Sequence, residues 1–106
     1  MAQKSPTPDA LFGTRWVHVY EQDSAQGAVY RREDDDIPLS RRPRERLELR
    51  ADGSALLFAP GPDDRLIEQR ATWREESGVV VVRTRESELR IIDRSPDRLV
   101  VQTQSR

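Results

Sequence analysis

The residues able to do chemistry are few, and most of them crowd one stretch. Gly13-Thr14-Arg15-Trp16-Val17-His18-Val19-Tyr20-Glu21 holds the only histidine, one of two tryptophans and one of two tyrosines. Trp16, His18 and Tyr20 are two apart, so a strand here places all three on one face. His18 is the one side chain that ordinarily titrates near neutral pH. With Tyr20 beside it and an acidic partner from another strand, it has the makings of a general acid or base, as an isomerase or cyclase would need. The plainer reading is a histidine hydrogen-bonded inside or at the rim of a barrel. In that case the chain has no catalytic residue. Trp16, Tyr20, Tyr30 and Trp73 have another use, as an aromatic wall that stacks a flat ligand, each contact adding about 0.5–1.5 kcal/mol beyond area burial. Against it stands a filled core with no pocket.

Other constellations carry less. Arg31 could anchor a ligand carboxylate in a bidentate pair if Val29 and its register face inward, although such arginines usually sit solvated at a rim. Glu33-Asp34-Asp35-Asp36 supplies oxygen ligands for a hard cation but lacks the alternating spacing and turn glycine of a calcium loop, so a solvated charge run is expected. Arg41, Arg42, Arg44 and Arg46 follow close behind and are expected to pair with that acidic block. Eighteen basic residues, all but Lys4 arginine, against 19 acidic ones leave a net charge of −1. With no aromatics interleaved among these arginines, neither nucleic acid nor an anionic membrane is an expected partner. A chain without cysteine and with one histidine excludes disulfides, thiolate sites and histidine-rich metal sites. No phosphate loop or nucleophile elbow is present, and no metal or cofactor is expected.

These residues need strands to hold them. At 106 residues, 35% hydrophobic and 35% charged, the chain has room for one small core, as in an antiparallel sheet with one wet face. Residues 1–10, with Pro6 and Pro8, read as a flexible leader, and 11–106 as one domain. Leu11-Phe12 starts a turn that closes one end. Strands are expected over about 15–22, 28–31, 44–50, 54–59, 66–74, 79–82, 88–93 and 98–102, divided by turns such as Ala51-Asp52-Gly53, Glu75-Glu76-Ser77-Gly78 and Ser95-Pro96-Asp97. Residues 32–43, with two prolines and opposed charge blocks, form a long loop. Short connections favour nearest-neighbour pairing, and eight such strands can close and remove their edges. The expected fold is all-β, a small up-and-down antiparallel barrel of about eight strands, flattened or incompletely closed at most. If Trp16, Ile67, Val80, Leu89 and Leu99 face in, then Val17, Val19, Val81, Ile92 and Val100 face out. Such a stripe left wet is unusual in a soluble monomer, so a homodimer or partner protein covering it is expected. No segment is apolar over the roughly 20 residues that span a bilayer, and no secretory signal opens the chain. The expected location is the cytoplasm.

The residues so assembled resemble a family of small bacterial lipocalin-like proteins. Lipocalins open with a G-x-W signature whose tryptophan closes the base of the barrel, and the match here, Gly13 to Trp16, is one residue longer. Trp16-Val17-His18-Val19-Tyr20-Glu21, Arg50-Ala51-Asp52-Gly53, Gly61-Pro62-Asp63-Asp64-Arg65, Thr72-Trp73 and Pro96-Asp97-Arg98-Leu99-Val100 are similar to the short bacterial members. The resemblance covers about residues 11–102 and implies a ligand-binding barrel without a settled activity. The expected function is therefore non-enzymatic binding of a small, largely apolar or aromatic molecule, such as a secondary metabolite or short modified peptide. Trp16, His18, Tyr20, Tyr30 and Trp73 would line the site. The alternatives are the isomerase or cyclase built on His18, and an interaction module that docks through the outer sheet face and the 32–43 loop.

Overall fold

Period-two alternation of apolar and polar residues sets most of the strands. In the computed structural model, which describes residues 11–63 and 65–105, they are β1 (Arg15–His18), β2 (Ala28–Arg32), β3 (Arg46–Leu49), β4 (Ser54–Pro60), β5 (Leu66–Glu76), β6 (Val79–Arg83), β7 (Ser87–Ser95) and β8 (Arg98–Ser105). A single 3-10 turn, Tyr20–Gln22, follows β1. The leader expected over residues 1–10 lies outside the described residues.

All pairings are antiparallel, and the strands close into a barrel in the order β1-β2-β8-β7-β6-β5-β4-β3. The up-and-down barrel read from the sequence is thus present and fully closed. Sequence neighbours pair everywhere except β2 and β3, which flank β1 on opposite sides. Residues 33–45 therefore cross from one side of β1 to the other.

Three details depart from the expected pattern. β1 ends at His18, not near residue 22. Val19 still donates its N–H to Val29 O at 2.8 Å, but Gln22 N–H then bonds Val19 O and winds the chain into the 3-10 turn, so Tyr20 leaves the strand face it was expected to share with Trp16 and His18. The outward valines are not wet. Val17, Val19, Val81 and Val100 are all 2% exposed or less within one chain. Val81 stands between Arg74 and Arg90 in the register, and long arginine stems cover apolar surface of that kind. Val17 lies beneath the 33–45 crossing, beside Ile37 and Pro38. Of the outward set only Ile92, at the bulge between Ile91 and Asp93, is open to water. Ile67, expected inside, is 54% exposed for a related reason. β6 pairs with β5 only from Thr72 onward, so Leu66–Ala71 has β4 as its one neighbour and the β4–β5 hairpin runs past the barrel rim.

The core fills the other end. Trp16, Leu47, Leu49, Ala55, Val80, Val82, Ile91, Leu99 and Val101 pack together inside, and Leu11 caps them with its carbonyl accepting the Trp16 Nε1–H at 3.2 Å. Phe12 bridges to Leu49 and stacks on Trp73, with ring centroids 4.9 Å apart. This end is the sealed base. The mouth lies at the opposite end, where β1 ends and β3 begins.

Candidate functional site

The mouth is built around His18. The β1–β2 register sets His18 beside Tyr30 on the inner face, and their rings stack at 5.1 Å with planes 22° apart. His18 Nε2 donates to the Asp23 carboxylate at 3.0–3.1 Å, and Nδ1 lies 3.5 Å from Glu45 Oε1. Asp23 also accepts the Val29 N–H at 2.9 Å, which fixes the turn between β1 and β2. Glu45, opposed by partial burial and helped by Asp23, raises the His18 pKa above its ordinary value, and the same contact lowers that of Glu45. The imidazole thus sits between two carboxylates that favour its charged form.

Behind it the inner face turns from filled to hollow. A cavity of about 190 Å³ opens at the mouth, with Leu47, Leu57, Phe58 and Leu89 as apolar wall and Tyr30, Glu45, Arg46, Gln69, Ser87 and Thr103 as polar groups. Tyr30 is 6% exposed, yet its hydroxyl has no hydrogen-bond partner among the described residues. Burial first, then the negative charges of Glu45 and Asp23, push its pKa upward, so the phenol keeps its proton. Buried hydroxyls of tyrosine usually find a partner. This one faces a space where a guest could supply it.

A second knot holds the mouth in shape. The Arg44 guanidinium, 7% exposed, grips Glu21 through two bonds of 2.9 and 2.7 Å. It also donates to His18 O at 3.0 Å and Pro38 O at 2.8 Å, and its Cζ lies 4.7 Å from the Tyr20 ring centroid. Tyr20 in turn shares a 2.7 Å hydrogen bond with Ser40. Arg44 thereby ties the 33–45 crossing and the 3-10 turn to the end of β1, and it seats Glu45, its neighbour in sequence, on the mouth. The Arg44 contact holds the Glu21 carboxyl at about 2.

The five residues expected to line one site divide among three places. Only Tyr30 lines the cavity, with His18 stacked against it and its nitrogens turned to Asp23 and Glu45. Tyr20 sits outside on the 3-10 turn, 42% exposed, with its ring edge-on to His18 at 6.2 Å, and the two border a more open hollow with Arg44 and Glu45. Trp16 is fully buried at the base, and Trp73 seals the base against Phe12 while donating to Arg50 O at 2.6 Å. Arg31 faces outward opposite Val17 and bonds Asp35 at 2.8 Å, so it does not reach the interior. The acidic run is spent on arginines: Asp34 on Arg32, Asp35 on Arg31 and Glu33 on Arg46. Arg44 bonds Glu21 and not this run. Among the described residues no group of three His, Cys, Asp or Glu side chains is placed to hold a metal ion.

Sequence reasoning passed over Asp23 and Glu45, and it gave Arg44 to the acidic run and not to Glu21. Glu45 did leave a signal, because the inward register of Leu47 and Leu49 extends back to it and puts a carboxylate on the barrel's inner face. Arg44 left no signal of its role at the mouth, since Glu21 and His18, which it ties to the crossing, are more than 20 residues away.

The barrel and its mouth define the class of molecule, a closed eight-stranded antiparallel β-barrel with a small internal cavity. Compared with known proteins, the chain matches no family model, no curated protein and no solved structure. Among the described residues no helix is long and apolar enough to cross a membrane.

Proposed function

We propose that this protein is a non-catalytic, lipocalin-like binding protein that holds one small, largely apolar or aromatic molecule in the mouth of its barrel. The observation that carries this reading is Tyr30, 6% exposed and with an unpartnered hydroxyl, on the wall of a cavity that mixes leucines with polar side chains. The cavity sets the guest's size. Sites for drug-sized ligands measure roughly 300–1,000 Å³, whereas an apolar hole of about 150 Å³ takes benzene. At about 190 Å³, the mouth suits a single ring with one or two polar substituents, and a peptide would enter only by one side chain. Apolar burial supplies the affinity and the hydroxyl the orientation.

The state of His18 favours binding over catalysis. Both ring nitrogens face carboxylates of the protein and neither faces the cavity, so a proton transfer to a guest would first have to break one of these contacts. A panel of one-ring and two-ring molecules, screened by the rise in thermal unfolding temperature, tests the proposal. One-ring compounds should stabilise the wild type and lose that effect in Leu57→Trp, which fills the cavity. Equal stabilisation by two-ring compounds, or an unchanged response in Leu57→Trp, would contradict it.

A further inference from the structure

We infer that the mouth selects a cationic guest, a single-ring primary amine, over neutral or anionic rings of the same shape. The inference rests on the binding reading above and goes on to the guest's charge. Glu45 lines the cavity and is half exposed, with one oxygen turned to His18 Nδ1 at a loose 3.5 Å. Its carboxylate therefore keeps acceptor capacity for a donor inside the mouth. Two carboxylates, Asp23 and Glu45, outnumber the one imidazole they face, and Arg46, which also lines the cavity, pairs with Glu33 at 3.6 Å. Arg44 is already neutralised by Glu21, while Arg31 and Arg32 are held by Asp35 and Asp34.

The Tyr30 hydroxyl is the second, independent sign. Tyr30 as a residue is 6% exposed and lines the cavity, and its hydroxyl has no partner among the described residues. It also lies close enough to Glu45 to feel that carboxylate's charge. An ammonium on a short methylene stem has three donors, enough to reach the Glu45 carboxylate and the Tyr30 oxygen together while its ring packs on Leu47, Leu57 and Leu89. A carboxylate guest would meet Glu45 as a like charge, and a neutral alcohol would satisfy Tyr30 but forgo the charge-assisted bond. Arg46 is the cation in the cavity lining that could meet a guest anion, and Glu33 already stands 3.6 Å from it.

The test is a heteronuclear NMR titration of the full-length protein with benzylamine, benzyl alcohol, toluene and benzoate. Benzylamine should bind roughly tenfold tighter than benzyl alcohol, the lower end for a hydrogen bond to a charged group because Glu45 is half exposed, and benzoate should bind weakest. Glu45→Gln should erase the amine's advantage and still bind benzyl alcohol, which reports an intact cavity even if His18 shifts. Tyr30→Phe should weaken the amine and the alcohol but not toluene. If benzyl alcohol or benzoate binds the wild type as tightly as benzylamine, the charge preference is overturned and the cavity reading survives. If none of the four binds, both fall.

Discussion

The proton on His18 is shared with the fold. The folded protein holds it more tightly than the unfolded chain does, through Glu45 and Asp23, so the contribution to stability is complete below the ordinary pKa of 6.5 and fades as the pH rises through the raised value. Glu45 runs the other way. Its lowered pKa makes its share complete above the ordinary 4.5 and lost on acidification. The His18–Glu45 contact is therefore strongest between those two values. His18→Gln should lower the urea midpoint most near about pH 5.5 and progressively less towards about pH 9, and a loss that ignores pH would show the contact to be idle. Arg44 carries more of the architecture. Arg44→Met keeps much of the stem but leaves the His18 and Pro38 carbonyls without their donor, at a cost of about 2 kcal/mol. Limited proteolysis should then cut within residues 33–45, where the wild type resists. That His18 is singular, and that it wants an acidic neighbour, was legible from the sequence. Which carboxylates it takes was not, because Asp23 reaches it by a 3-10 turn and Glu45 by the return of the chain across β1, and neither path leaves a periodic trace.

Strands are the level at which the sequence reads best. Alternation in Leu47 and Leu49, and turn residues such as Gly53, are local signals, and local signals survive into the fold. The β5–β6 connection is an instance. Ser77 and Gly78 both adopt positive φ, 52° and 82°, as a two-residue hairpin turn with the twist of its strands requires. Serine pays a steric cost there that asparagine largely avoids. Ser77→Asn should raise stability by about 0.5 kcal/mol in chemical denaturation, and a fall would mean that the turn is held by something other than its own backbone. At the sealed end, Trp16 is fully buried and donates to Leu11 O, so Trp16→Ala should cost about 3–5 kcal/mol. The Trp16 indole is remote from the mouth, so any variant of it that still folds should keep its affinity for a one-ring guest. The placement of the two tryptophans at the base was beyond a strand-by-strand reading. It depends on the tilt of the closed barrel and on Leu11-Phe12 folding under it, both of which are long-range.

Taken whole, the barrel hides within one chain most of the surface that seemed to call for a partner. Four of the five outward apolar residues are buried within the chain, Val17 beneath the 33–45 crossing and Val81 between two arginines, so sedimentation at micromolar concentration should find a monomer. The base half is packed solid and the mouth half is open, because β6 stops at Arg83 while β4 and β5 continue. That asymmetry leaves a sheltered place for a guest at the mouth. Mapping amide and methyl shifts on addition of benzyl alcohol tests this most directly. The perturbed residues should be Tyr30, Leu47, Leu57, Leu89 and Thr103, with Trp16 and Trp73 silent. Shifts centred on the two tryptophans, or none at saturating alcohol, would contradict the account.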